Sequence, residues 1–219
     1  MLKEEFVNLV LLRFLLFCCS VLILSSCSQI SIQKPGTSVV VVNPSSKQQA
    51  WKSRQNILIR KQAWSLNSKI ALRYRDEHWT FGLNWVQKAT RQYVMQIKNP
   101  VTGAVIARLT KNNQGVALLS DDGKTYHDAD EERLLQRQSG VQLPLKGMQY
   151  WVRGLTSPVH KVDKLVLDSR GRPKTIFQAG WQINYSNYLN ASTAALPRKV
   201  VITREKDNVY LKMIAKQWR

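Results

Sequence analysis

The sequence has little of what disulfide-bonded or metal-binding proteins depend on. Its 219 residues include three cysteines and three histidines. Cys18 and Cys19 lie inside an apolar segment near the N-terminus, so that only Cys27 follows this segment. One remaining thiol cannot form an intramolecular disulfide, and the histidines lack the spacing of an H-E-x-x-H zinc motif. We therefore expect no metal and no other cofactor.

Acidic residues are also scarce. The chain has 14 Asp and Glu against 33 Lys and Arg, a formal net charge of +19. In a cytoplasmic protein this excess would indicate a nucleic-acid partner. The N-terminal segment described next is typical of an exported protein, so we expect no nucleic acid. Anionic lipid headgroups, lipopolysaccharide, an acidic protein or a simply solvated basic surface remain as explanations.

The apolar run at residues 14–24 is too short to cross a membrane, because a spanning helix needs about 20 apolar residues. Lys3 and Arg13 precede it, as basic residues precede the apolar region of a secretory signal peptide. Residues 24–27, Leu-Ser-Ser-Cys, follow directly and resemble the lipobox of bacterial lipoproteins. There, small residues precede a cysteine that receives a diacylglycerol. We predict that residues 1–26 are a cleaved signal peptide and that Cys27 is lipidated.

The residue after this cysteine is Ser28 rather than Asp. By resemblance to enterobacterial sorting, this favours delivery to the outer membrane. We therefore expect a protein that is held in the outer membrane by its lipid and faces the periplasm. Residues 28–43 are polar and contain Pro35 and Gly36. We interpret residues 27–43 as a lipidated N-terminus and a flexible tether, which reaches about 50 Å when fully extended.

Residues 44–219 are predicted to form a single domain dominated by antiparallel strands. Ser45 or Ser46 can cap a helix that runs to about Lys61. Apolar and polar residues then alternate with a period of two. The predicted strands are 64–74, 79–85, 93–97, 104–109, 116–119, 164–167, 175–178, 181–185, 199–203 and 209–218. Short turns between them imply consecutive antiparallel pairing.

Two further helices are predicted in the middle of the chain. We expect Asp128 to cap the first helix and Gly140 to end it, with acidic residues 130–132 in its first turn. Leu143 and Pro144 start the second helix, which Gly154 closes.

Large apolar side chains share one phase on the successive strands, and the second helix is able to cover them. A curved sheet with helices across its open face would place this set around an apolar cavity. The alternative is that the side chains pack against one another, and the pattern alone leaves both interpretations open. The set is Trp64, Leu66, Ile70, Leu72, Phe81, Leu83, Trp85, Tyr93, Met95, Ile97, Met148 and Trp151.

The segments, taken in order, resemble the LolB family of outer-membrane lipoprotein receptors. Their serial order from about residue 44 to the end carries the resemblance. The matching stretches are 64–71, 81–85, 99–103, 143–144, 150–155, 178–185, 196–199 and Trp218.

The resemblance implies a mainly β (α+β) fold, an incomplete antiparallel β-barrel of about 10–11 strands with a helical lid over an apolar cavity. It also implies a function. A LolB-like receptor accepts lipoproteins from the periplasmic carrier LolA, binds their acyl chains in the cavity and inserts them into the outer membrane. We expect it to act as a monomer and to contact outer-membrane lipid.

Val101 is an apolar residue in a turn, where polar residues are the norm. LolB-like proteins have an exposed apolar residue at the equivalent hairpin tip that touches the bilayer. The hairpin departs from the family in having Val where Leu is usual and Thr-Gly where Gly is usual. We predict that Val101 is the membrane contact, aided by Lys98 and Lys111. The alternative is an isolated surface valine.

The two alternative functions are a lipid hydrolase and a structural or assembly lipoprotein. A lipid hydrolase would favour a G-x-S-x-G turn, which is absent, and His78, His127 and His160 all lie beside turn or loop signals. We therefore expect no enzyme. A structural or assembly lipoprotein that binds protein or glycan remains an alternative, and transfer of a lipoprotein from a carrier would distinguish it from a receptor.

Overall fold

The structure, a computed structural model, describes residues 44–219. The predicted signal peptide, Cys27 and the tether lie outside the described residues. Helix α1 (Pro44–Arg60) comes first and is followed by six strands, two helices and five strands. The first six strands are β1 (Trp64–Tyr74), β2 (Glu77–Ala89), β3 (Gln92–Lys98), β4 (Val105–Asn112), β5 (Gly115–Ser120) and β6 (Thr125–Asp128). Then come α2 (Glu131–Ser139), α3 (Leu145–Trp151), β7 (Val162–Leu167), β8 (Pro173–Gln178), β9 (Trp181–Tyr188), β10 (Pro197–Arg204) and β11 (Val209–Trp218).

The eleven strands form one antiparallel sheet in the order β6-β5-β4-β3-β2-β1-β11-β10-β9-β8-β7. The last strand returns beside the first, with Ile70 opposite Met213. β6 and β7 are the two edges, so the sheet does not close by strand pairing. The segment that joins these edges contains α2 and α3. The predicted incomplete antiparallel barrel with helices is confirmed.

The two faces of the sheet differ as the period-two pattern predicts. On β1, Leu66, Ile70 and Leu72 are buried, whereas Lys69 and Arg73 between them are exposed. Successive side chains of a strand point to opposite faces. We call the apolar side the inner face and the polar side the outer face.

The hairpin connections define two ends of the barrel. At the tip end lie the β1–β2, β3–β4, β5–β6, β8–β9 and β10–β11 turns. At the α1 end lie the β2–β3, β4–β5 and β7–β8 turns and the start of β1. Helix α1 packs at this end, where a Cβ on Gly171 of the β7–β8 turn would lie 2.6 Å from the Cβ of Ala50.

The prediction that Asp128 caps α2 was wrong. Asp130 is the N-cap, and its carboxylate accepts the backbone N–H groups of Glu132 at 2.9 Å and Arg133 at 3.0 Å. Residues 125–128 instead form β6, a strand that the sequence pattern missed, and they pair with β5. Two aspartates lie directly before the helix, and the pairing of β6 places the first of them in the sheet. Gly140 ends α2 in the left-handed conformation, as predicted.

Arg54 joins α1 to the rest of the domain. The fully buried guanidinium donates to the backbone carbonyl oxygens of Gly154 at 3.1 Å, Thr193 at 2.7 Å, Ala195 at 2.7 Å and Arg153 at 2.6 Å. Burial lowers the pKa of Arg54, since carbonyl dipoles replace the water that would solvate the charge. Gly154 has a positive φ of 69°, and a Cβ there would lie 2.6 Å from the Arg54 guanidinium. This close approach requires glycine.

We expect Arg54→Ala to lower the free energy of unfolding by about 3 kcal/mol or more, because four carbonyls lose their donor. Arg54→Lys should recover only part of this loss, since an ammonium lacks the planar donor fork. The control is Arg60→Ala, an exposed arginine of the same helix, which should change stability by less than about 0.5 kcal/mol. Urea denaturation followed by circular dichroism measures all three, and equal stability of the two alanine variants would contradict the role of Arg54.

Candidate functional site

The inner face brings together most of the predicted cavity residues. Ten of the twelve belong to one buried apolar cluster, which we call the inner cluster. Phe81 is half-buried and packs against it. Ile97 is half-buried and outside the cluster, close to a register shift between Ile97 and Lys98 in the pairing of β3 with β4.

The inner cluster extends further than the predicted set. It includes much of the second half of the sheet, for which the sequence pattern predicts strands but no site residues. The added members on β8 to β11 are Ile176, Trp181, Ile183, Tyr185, Val200, Ile202, Val209, Leu211, Met213 and Ala215. Leu109, Val116 and Leu118 extend it on β4 and β5.

Aromatic rings form a connected group at the α1 end of the inner cluster. The ring centroids of Trp64 lie 5.1 Å from Trp85 and 5.7 Å from Trp218, and Trp85 lies 5.9 Å from Tyr93. The indole N–H of Trp85 donates to Gln87 at 2.9 Å, and that of Trp218 to the carbonyl of Pro197 at 3.0 Å. Because the N–H groups of Trp85 and Trp218 have partners, these two rings present apolar surfaces to the interior.

Helices α2 and α3 cover the inner face with a few apolar side chains. Leu134 of α2 and Leu145, Met148 and Trp151 of α3 are buried in the inner cluster. Gly147 leaves room for the indole of Trp151, because a Cβ there would lie 2.7 Å from the ring. The Trp151 indole N–H donates to the side chain of Gln178 at 2.8 Å, which connects α3 to β8.

Two pockets open beside α3. The first has a volume of about 510 Å³ and the second about 380 Å³. Tyr93 lines the first and Trp151 the second, while Lys146 and Val159 line both. Each volume lies in the range of roughly 300–1,000 Å³ that is common for small-ligand pockets. The rest of the predicted set lies mostly in the packed interior of the inner cluster.

Charged groups connect the two helices to each other and α2 to the sheet. Asp130 forms an ion pair with Lys146 of α3, and Glu131 with Lys111 of β4 at 3.3 Å. Asp128 is paired with Arg133, and with Arg137 at 2.7 Å. The hydrogen bonds from Arg133 and from the backbone of Asp130 hold the pKa of Asp128 well below its usual range.

Lys111 does not lie at the tip as predicted, because its position at the end of β4 puts it at the α1 end.

Val101 projects from the β3–β4 turn and is 92% exposed. The side chain of Asn99 holds the turn by accepting the N–H groups of Val101 at 2.9 Å and Thr102 at 3.1 Å. Val105 and Ile106 at the start of β4 are also exposed. The period-two pattern predicts a strand here with one of each two neighbouring residues buried, whereas both of these residues are accessible.

The described residues offer little for metal or histidine chemistry. Within residues 44–219 no group of three or more His, Cys, Asp or Glu is placed to hold a metal ion. His78, His127 and His160 are exposed and lie on β2, on β6 and in the loop before β7. In the same part of the chain, no helix has the length and apolar character needed to span a membrane.

Comparison with known proteins identifies the family. The sequence model of the family described as outer membrane lipoprotein LolB matches residues 62–218. The chain belongs to the LolB family. A relative from Alkalilimnicola ehrlichii named outer-membrane lipoprotein LolB is 33% identical over 155 residues, which cover 71% of this chain and 76% of the relative. One of the same name from Pseudomonas paraeruginosa is 28% identical over 208 residues, which cover 95% and 96%.

The predicted membership of the LolB family and the predicted outer-membrane localisation are thereby confirmed. A solved LolA superfamily protein from Nitrosomonas europaea aligns with 80% of this chain and 93% of its own, at 9% sequence identity and a TM-score of 0.48. The LolB match starts before β1 and ends in β11, so it contains every strand of the open barrel and both helices that cover it.

The ion pairs of Asp128 predict a pH dependence. Since the folded-state pKa is lowered, the contribution of the carboxylate is complete above the unfolded-state value of about 3.9 and is lost as the pH falls below it. We expect Asp128→Asn to lower the melting temperature at pH 7, and this difference from the wild type to shrink as the pH falls below about 4. Asp121→Asn in the exposed β5–β6 turn is the control. A difference that stays constant down to pH 2 would contradict the assignment.

Proposed function

We propose that this LolB family member is a receptor that accepts lipoproteins from a LolA-like periplasmic carrier and inserts them into the outer membrane. The observation that carries the proposal is the inner cluster, a continuous apolar face covered by two short helices. Each buried methylene is worth about 0.8 kcal/mol, so a long acyl chain cannot cross an aqueous compartment unprotected. A protein with a large, coverable apolar face meets this requirement.

In the proposed mechanism, the acyl chain takes the place of the contacts that α2 and α3 make with the sheet. The helices contribute four buried apolar side chains to the inner cluster. The Lys146–Asp130 pair between the two helices is partly exposed, and such pairs are worth roughly 0–1 kcal/mol, whereas the Lys111–Glu131 pair between α2 and β4 is largely buried. Exchanging helix side chains for chain methylenes replaces one apolar contact by another. The cost of opening is then reduced to that of the polar contacts, which include the Lys111–Glu131 pair and the hydrogen bond from Trp151 to Gln178.

Delivery requires a difference between the carrier and the receptor in their affinity for the lipoprotein. It requires no energy-supplying reaction. A difference of about 1.4 kcal/mol in binding free energy between carrier and receptor changes the transfer equilibrium about tenfold. A modestly more favourable inner face in the receptor than in the carrier therefore moves the lipoprotein forward, and the bilayer moves it on. No nucleotide-dependent step is needed.

We expect Leu83→Asp to weaken acyl-chain binding at least tenfold, because a charge on the inner face opposes burial of methylenes. Leu83 lies on β2 in the middle of the inner cluster. Asn84→Asp is the matched control, because the next residue of the strand points to the outer face. Binding of a fluorescent fatty acid and acceptance of a lipoprotein from the carrier are the measurements, with circular dichroism to establish folding. Equal binding by the two folded variants would place the acyl chains elsewhere.

We propose that the tip end of the barrel contacts the membrane. Val101, Val105 and Ile106 form an exposed apolar tip, and Lys98 lies beside it. Burying one valine side chain contributes about 1.5–3 kcal/mol at most, which docks a tethered protein but does not anchor a free one. Cys27 is the proposed anchor.

The length of the tether is sufficient for this orientation. Pro44 begins α1 at the end of the barrel opposite the tip. The 17 residue steps from Cys27 to Pro44 span up to about 55–60 Å at full extension. An 11-residue strand such as β1 is about 36 Å long. The tip end can therefore reach the same membrane that holds the lipid.

We expect Val101→Glu to accept lipoprotein from the carrier normally and to deposit it in liposomes several-fold more slowly. The turn is held by Asn99 and not by the valine side chain, so the variant should fold. Val166→Glu, an exposed valine on β7, is the control. Acceptance and release are assayed separately, and unimpaired delivery by Val101→Glu would exclude the tip as the membrane contact.

The anchor has its own test. We expect mass spectrometry of the protein from membranes to find diacylglycerol on Cys27, and Cys27→Ala to abolish this modification. The unlipidated domain should still accept lipoprotein, because the proposed binding face lies in residues 64–218. Wild-type protein that carries no lipid on Cys27 would contradict the proposed anchor.

A further inference from the structure

The hydroxyl group of Tyr93 is buried without a hydrogen-bond partner among the described residues. Tyr93 lies at the start of β3 on the inner face and is 4% exposed. Two other tyrosines, one in the inner cluster and one packed against it, behave differently. The hydroxyl of Tyr185 donates to the carbonyl of Trp151 at 2.9 Å, and that of Tyr188 to the carbonyl of Pro173 at 2.6 Å. Buried polar groups are nearly always paired, so an unpaired donor at this position indicates a missing acceptor.

Tyr93 lines the 510 Å³ pocket at the α1 end of the barrel. The other walls come from the β2–β3 and β4–β5 turns and from α2 and α3. The charged groups facing this pocket are Arg91, Lys111, Asp130, Glu131 and Lys146. Four of these five neutralise one another in the pairs Lys111–Glu131 and Lys146–Asp130. The pocket is therefore polar, with most of its charge internally compensated.

Tyr93 also touches the apolar interior. Its ring lies 5.9 Å from that of Trp85, which is completely buried in the inner cluster. Burial, with the negative charge of Glu131, raises the pKa of Tyr93, so the hydroxyl remains a neutral donor at physiological pH. One residue thus joins a polar pocket to an apolar face and offers a neutral hydrogen-bond donor at the junction.

We propose that the Tyr93 hydroxyl donates to an ester carbonyl at the head of the diacylglycerol-modified cysteine of a bound lipoprotein. An ester-linked lipid also joins a polar part to an apolar part, because its carbonyl oxygen is a neutral acceptor at the start of an apolar chain. The polar linkage occupies the pocket, and the chains run from it along the inner cluster. This inference rests on the proposed function and specifies which part of the client the pocket recognises.

The position of the pocket gives the bound lipid a direction. The pocket lies at the β2–β3 and β4–β5 turns, whereas Val101 lies at the other end of β3. With the carbonyl at Tyr93, the methyl ends of the chains point toward the tip end. The acyl chains then face the proposed membrane contact, while the client polypeptide leaves the barrel at the α1 end.

The test compares two synthetic lipopeptides, one with palmitoyl chains ester-linked to the glyceryl cysteine and one with hexadecyl chains linked by ethers. The wild-type protein should bind the ester form more tightly, on the order of fivefold, as one neutral hydrogen bond allows. Tyr93→Phe should bind both forms with the affinity that the wild type has for the ether. Tyr188→Phe is the control and should keep the ester preference, because the Tyr188 hydroxyl already has a partner and the residue lies outside the inner cluster. An ester preference that persists in Tyr93→Phe would overturn the proposal.

A second readout separates recognition from a structural role. Without ligand, Tyr93→Phe should leave the melting temperature unchanged or raise it, because it removes an unpaired buried hydroxyl. Tyr188→Phe should lower it, because the carbonyl of Pro173 loses its donor. Equal destabilisation by both variants would show that the Tyr93 hydroxyl has a partner within the protein, and would contradict the assignment.

The same ester carbonyl occurs in phospholipids, so a third ligand identifies the source. Dipalmitoyl phosphatidylethanolamine should bind more weakly than the ester lipopeptide, and Tyr93→Phe should reduce that preference. An effect of Tyr93→Phe on the phospholipid alone would exclude the client assignment. Failure of the wild-type protein to bind either lipopeptide would instead contradict the proposed function itself.

Discussion

The central constraint on this fold is an apolar face that its own sheet does not enclose. Eleven antiparallel strands follow one another with edges at β6 and β7, and the pairing of β1 with β11 joins the two halves into one curved surface. Because apolar side chains alternate on every strand, the whole inner face must be removed from water. Helices α2 and α3 provide the cover, and they do so from within the segment that joins the two open edges.

The polar interactions of the protein follow from this arrangement. α1 is fixed at one end by Arg54, whose guanidinium donates to four backbone carbonyls. α2 and α3 are held by the largely buried Lys111–Glu131 pair, by the partly exposed Lys146–Asp130 pair and by a few buried apolar side chains. An apolar ligand can replace the apolar contacts of the cover, whereas it cannot replace the polar contacts that fix α1. This difference is what a protein that binds and releases acyl chains requires.

The period-two pattern was sufficient to predict most of the strands, the antiparallel order and the inner phase of β1 to β3. The resemblance to the LolB family supplied the open barrel. The pattern failed where it was short or interrupted. β6 has only four residues, and Asp128 within it imitates a helix cap until its pairing with β5 is known. Ile97 continues the alternation of β3 and lies opposite Leu83, but near the tip end it is only half-buried and is not part of the inner cluster.

Other features were beyond the reach of sequence reasoning because they depend on three-dimensional contacts. The four carbonyls around Arg54 come from residues about 100 and 140 positions away, and nothing in the sequence of α1 marks that arginine as buried. The missing partner of Tyr93 is likewise visible only when its surroundings are known. Tyr93, Tyr185 and Tyr188 look alike in the sequence, and only their contacts show that one hydroxyl is left unpaired.

The most direct test of the account is to map where a client's acyl chain lies. A lipoprotein with a photoreactive diazirine in its acyl chain is passed from the carrier to this protein, irradiated, and the labelled residues are identified by mass spectrometry. The account predicts labels on inner-face residues such as Leu66, Leu83 and Met95. Labels confined to their outer-face neighbours Asn67, Asn84 and Gln96 would contradict it.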